Sequence, residues 1–119
     1  MKKCFTVLLS LTLACALCLS LAETDEDALY AQGDAAFLVQ DYEKALEYWT
    51  QAAEQGYRNA YEAIGELYRD GLGVEQSYEK AADYFLKAVE LGETQKAQAY
   101  FDQLVEEGKI PADYTPNEI

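Results

Sequence analysis

Along residues 41–56, DYEKALEYWTQAAEQG, the apolar residues Tyr42, Ala45, Trp49 and Ala52 recur three, four and three positions apart. That spacing follows one face of a helix with 3.6 residues per turn, and Leu46 and Ala53 widen the stripe. The pattern returns at 77–92, SYEKAADYFLKAVELG, with Tyr78, Ala81, Phe85 and Ala88 in the stripe and Ala82 and Val89 beside it. Each copy opens on a side chain whose oxygen can accept from an unpaired backbone N–H, Asp41 in one and Ser77 in the other. Glu43 and Glu79 follow, where the positive end of a helix favours an acid. Gly56 and Gly92 close the two copies, and a left-handed stop is expected at both.

A further helix precedes each copy. Residues 26–39 and 59–70 carry helical spacing, the second through Tyr61, Ile64, Gly65 and Tyr68. Gly33 and Gly65 fall in mid-helix, where glycine costs about 1 kcal/mol relative to alanine. That cost predicts close approach of a neighbouring helix. A fifth helix is expected at 94–107. Aligned on Gly56 and Gly92, Phe101 takes the place of the mid-helix glycine, so no further helix is expected to pack there. Gly108 and Pro111 then end the element.

The expected fold is all-α. It is a short α-solenoid of two antiparallel helical hairpins, about 26–57 and 58–92, plus a C-terminal capping helix, within a domain spanning 23–108. One hairpin cannot bury its own apolar face, whereas two and a cap can. Residues 109–119 contain two prolines and no periodicity, and read as an extended tail. Such a terminus is free by default, with Tyr114 the residue by which it would dock in the groove.

Residues 59–92, NAYEAIGELYRDGLGVEQSYEKAADYFLKAVELG, resemble the Sel-one-like repeat, a helical hairpin related to the tetratricopeptide repeat. The resemblance rests on Gly65, the loop Gly71-x-Gly73-Val74, the helix start Tyr78-x-Lys80-Ala81, and Ala88 and Gly92. The first unit shares the ends but lacks the glycine loop, and its FLVQDYEKAL is closer to a plain tetratricopeptide hairpin. The resemblance implies a superhelix whose first helices line a concave side that takes an extended peptide or a partner's helix. By the family's pattern that side presents Tyr30, Asp34 and Phe37, then Asn59, Glu62, Glu66 and Arg69, then Gln98 and Asp102. The set is acidic with two aromatics, which suits a basic, partly apolar segment. It lacks the lysines with which some tetratricopeptide domains clamp a C-terminal carboxylate.

The first twenty-two residues are written differently. Lys2 and Lys3, an apolar run, and Ser20-Leu21-Ala22 ahead of Glu23 have the layout of a secretory signal cleaved after Ala22. The mature chain is then secreted or periplasmic, and not itself inserted in a membrane. Two alternatives stay open: an uncleaved signal that tethers the chain to the membrane, and lipidation at Cys15 or Cys18, although neither TLAC nor CALC has leucine in the usual place. All three cysteines lie in this segment, so the mature chain holds together by packing alone, without disulfides. Loss of Lys2 and Lys3 also takes the net charge from −13 to −15. That charge repels nucleic acid and anionic lipid, and is compatible with a basic partner or simply with solubility.

Candidate chemistry is sparse. Ser77-Tyr78-Glu79-Lys80 satisfies the S-x-x-K signature of penicillin-recognising enzymes. Some exported, cysteine-rich relatives of the repeat family have been described as β-lactamases. Asp41 occupies the same place in the first copy, however, so the position needs only a helix cap. No S-D-N or K-T-G element accompanies it, and the chain has no histidine. Metal ligation by His or Cys has no residues to use after signal removal, Asp25-Glu26-Asp27 lacks EF-hand spacing, and no cofactor motif is present. The reading is therefore an exported, non-enzymatic adaptor or scaffold for a protein or peptide. A small hydrolase and a self-associating structural unit, a homo-oligomer, stand as alternatives.

Overall fold

The structure, a computed structural model, describes residues 25–92 and 95–118. The expected signal at 1–22 lies outside them. Among the described residues five helices follow in order: α1 (Asp25–Leu38), α2 (Tyr42–Glu54), α3 (Arg58–Asp70), α4 (Tyr78–Leu91) and α5 (Gln95–Glu106). Each packs chiefly on its neighbours in the sequence, α1 on α2, α2 on α3, α3 on α4 and α4 on α5. This is the short solenoid of two hairpins and a capping helix. Among the described residues no helix is long and apolar enough to cross a membrane.

Local chemistry sets the helix ends. The Asp41 carboxylate accepts from the Lys44 backbone N–H at 3.3 Å, and the Ser77 hydroxyl accepts from that of Lys80, also at 3.3 Å. These two residues cap the second helix of each hairpin as their matched positions predict. The stops differ. Gly56 has φ 88°, but Gly92 has φ 170°, an extended conformation open to any residue. The expectation of a left-handed turn at Gly92 is therefore corrected. The nearest atoms to a Cβ there would be those of the flexible Arg58 side chain, with Nη1 at 2.5 Å. The turn between α1 and α2 instead places Gln40 at φ 62°.

The mid-helix glycines fit the aromatic residue of the following helix. A Cβ on Gly33 would stand 2.3 Å from the Trp49 indole, and one on Gly65 would stand 2.6 Å from the Phe85 ring. Each hairpin thus closes on a glycine–aromatic contact, repeated once along the stack. The loop after α3 joins the hairpins: Leu72 and Val74 pack on the first hydrophobic cluster, and a Cβ on Gly73 would come within 2.8 Å of Tyr42. That cluster contains Ala45, Trp49, Ala52, Ala60, Ile64 and Leu67, while a second gathers Ala81, Phe85, Ala88, Ala97, Leu104 and Ile110. Tyr61 and Tyr68 pack against both.

The two ends of the stack are finished differently. At the C-terminal end the tail is held, contrary to the default expectation, and on α4 instead of in the concave groove. Ile110 is buried in the second cluster. The Tyr114 hydroxyl donates to Asp83 Oδ1 at 2.6 Å, and the Asn117 backbone N–H donates to the same oxygen at 3.0 Å. Asp83 is the one buried charged residue among those described, and it stands where the first copy has the exposed Glu47. At the N-terminal end α1 is open among the described residues. With Gly33 set against Gly65, its Ala28, Ala31, Gln32 and Ala35 correspond to Ala60, Ala63, Ile64 and Leu67 of α3. The α3 residues are buried with α2 in the first cluster, whereas their α1 counterparts are exposed. Leu38 and Val39, 81% and 75% exposed, extend that bare face.

Candidate partner-binding face

The nine residues expected on the concave side lie on α1, α3 and α5. Five of them, Tyr30, Asp34, Phe37, Glu62 and Glu66, line one cavity of about 160 Å3 together with Trp49, Ala63 and Lys96. Tyr30, Asp34 and Phe37 project from successive turns of α1, and Glu62 and Glu66 lie one turn apart on α3. The remaining four stand outside this cavity. Asn59 lies beside Tyr57 at the start of α3, and Gln98 donates to Asp102 at 2.8 Å along α5. Arg69 pairs with Asp70 at 2.9 Å and lies over the Tyr100 ring, 4.7 Å from its centroid. The Asp70 hydrogen bonds hold the guanidinium above its ordinary value.

Two participants were absent from the sequence-based set. Trp49 was assigned to the core, and it is only 4% exposed, but the edge of its indole reaches the cavity wall. Its N–H donates to the Tyr30 carbonyl at 3.2 Å. Its ring centroid lies 6.1 Å from that of Tyr30 and 5.7 Å from that of Phe37. Lys96 comes from the first turn of α5, and its ammonium contacts Glu62 at 2.8 Å and Glu66 at 2.9 Å. Reach across thirty residues of sequence leaves no local signal.

The cavity shifts the groups that line it. Burial, with Asp34 and Glu62 adding to it, pushes the Tyr30 hydroxyl up to about 12. Burial also raises the Asp34 carboxyl above its ordinary value, with the Trp49 N–H opposing that shift. For Lys96 burial acts downward, and the bonds to Glu62 and Glu66 outweigh it, so its pKa lies above the usual lysine value. The arrangement is a notch of rings and carboxylates with one ammonium already in place.

Compared with known families, residues 18–57 and 59–93 match the Sel1 repeat. The chain belongs to the Sel1 repeat family. Sel1 repeats are commonly protein–protein interaction modules, and the family is typically non-catalytic. No curated protein matches the chain. In this Sel1-repeat chain the S-x-x-K residues keep their structural use: Ser77 caps α4, and the Lys80 ammonium lies over the Tyr68 ring at 5.4 Å. Both also border a cavity of about 380 Å3 beside the docked tail, with Tyr68, Asp83 and Asn117.

Proposed function

We propose that this chain is an exported adaptor that holds a basic, partly apolar segment of another protein against the concave face of α1, α3 and α5. The cavity at its centre carries the proposal. Three carboxylates and one ammonium leave it with two negative charges, and Tyr30 and Phe37 supply apolar contact beside them. A partner segment with cationic and apolar residues would match both properties. The basic start and apolar run of residues 1–22 support export of the mature chain.

A photo-crosslinking residue in place of Phe37, compared with one in place of the exposed Glu47 on α2, tests the face directly in the native host. Adducts formed only from position 37, with mass spectrometry placing them in basic segments, are the expected result. Adducts formed equally from position 47, or from neither, would remove the concave face from consideration.

A second reading, self-association, is favoured by the bare face of α1. Ala28, Ala31 and Ala35 are exposed where their counterparts in α3 are covered by the preceding hairpin. A solenoid end normally needs a polar outer surface, and a second copy would supply the missing cover. Sedimentation of the mature chain together with an Ala31→Glu, Ala35→Glu variant tests this. Association lost in the variant supports it, and a parent that stays monomeric at high concentration removes it.

A further inference from the structure

The concave cavity has the makings of a receptor for one cationic side chain, and this inference rests on that face being the binding face. Its lining combines the rings of Tyr30, Phe37 and Trp49 with the carboxylates of Asp34, Glu62 and Glu66. Ring faces and carboxylates both attract a cation, and they do so more strongly where water is partly excluded.

The protein already shows an ammonium in this place. Lys96 touches Glu62 and Glu66 and lies 5.3 Å from the Tyr100 ring centroid, with charge and aromatic contact combined. It satisfies the α3 side only. Asp34, on α1 about one turn from both Tyr30 and Phe37, enters no ion pair among the described residues, and it lines the same cavity as the three rings. The volume, about 160 Å3, is below the usual range of roughly 300–1,000 Å3 for small-molecule pockets. It suits one long side chain. We propose that the partner anchors itself by a single lysine, its methylene stem against Phe37 and Tyr30 and its ammonium on Asp34, beside the pair that Lys96 forms with Glu62 and Glu66. Lys96 then opposes the incoming charge, and sets an upper limit on how tightly the partner is held.

The test uses the mature domain, a short neutral peptide carrying one central lysine, and the same peptide with norleucine at that place. Binding is followed through the fluorescence of Trp49, the only tryptophan in the chain. The lysine peptide should bind at least tenfold more tightly than the norleucine peptide. Asp34→Asn, which keeps the size of the side chain, should abolish that preference. Lys96→Gln should tighten lysine binding severalfold. Circular dichroism checks that each variant is folded, and Phe37→Ala serves as a second probe if Asp34→Asn does not fold. Equal binding of both peptides, or weaker binding by Lys96→Gln, would overturn the proposal. So would n-butylammonium binding as tightly as the lysine peptide, which would make this a site for free amines. Retention of the position-37 crosslinks alongside equal peptide binding would leave the concave face in use and the lysine anchor refuted.

Discussion

Gly33→Ala isolates the contact on which the first hairpin closes. In an exposed helix this change would stabilise by about 1 kcal/mol through helix propensity. Here the new methyl would stand 2.3 Å from Cδ1 and Nε1 of Trp49, where ordinary contact begins at 3.4 Å. The indole cannot yield freely, because it is buried and its N–H is held by the Tyr30 carbonyl. Overpacking of this kind costs roughly 1–3 kcal/mol, and a weakened hydrogen bond adds about 1 kcal/mol. Set against the propensity gain, the net effect should be a loss of roughly 2 kcal/mol, a fall in Tm on the order of 10 °C for a domain of this size. Thermal melts followed by circular dichroism measure it, and a Trp49→Leu background supplies the control. With the indole gone the alanine should become neutral or stabilising, giving a coupling of about 2 kcal/mol in the double-mutant cycle. Gly65→Ala should act in the same direction but less strongly, since its closest approach to Phe85 is 2.6 Å and no indole hydrogen bond is at stake. A Gly33→Ala protein that melts at or above the parent temperature, or an equal penalty in both backgrounds, would refute the close-packing account.

Trp49→Ala should cost roughly 3–5 kcal/mol, as for other buried aromatics, and chemical denaturation would show a midpoint shift or outright loss of the cooperative transition. Tyr114→Phe removes a donor from the buried Asp83 and should cost roughly 1 kcal/mol, with faster proteolytic clipping after Gly108 as the sharper readout. Gln40→Gly relieves a side chain held at φ 62° and should raise stability by roughly 0.5 kcal/mol, visible as a small gain in Tm. In alkali the sign follows from Tyr30, whose folded value is raised from 10.0 to about 12 by burial and then by Asp34 and Glu62. Its contribution is fully present below pH 10 and is lost as pH rises through about 12, so urea midpoints should fall across that window and fall less in Tyr30→Phe.

The helical stack was legible because its signals are local or repeated. Trp49 and Phe85 sit at the same place in two matched helices, and Gly33 and Gly65 mark the partners they close on. The Asp41 and Ser77 caps could be read from a few neighbouring residues. Gly92 could not, because its backbone is extended and its neighbour, Arg58, is remote in sequence. The docked tail was also hidden. No periodicity governs residues 109–118, and the hold comes from Asp83, whose only trace is one fewer methylene than Glu47 in the matching copy. Of the cavity residues, Tyr30, Asp34, Phe37, Glu62 and Glu66 were named from the family pattern, while the part played by Lys96 depends on how α5 brings it to the α3 carboxylates.

The order of packing, each helix against the next, has a consequence for kinetics. Among the described residues every major helix interface is formed between segments adjacent along the chain, so little entropy is spent on closing long loops before contacts reward it. Chains of that kind reach the native state in microseconds to milliseconds. Collapse should begin at either glycine–aromatic pair and spread outward, with the Tyr114 latch closing last.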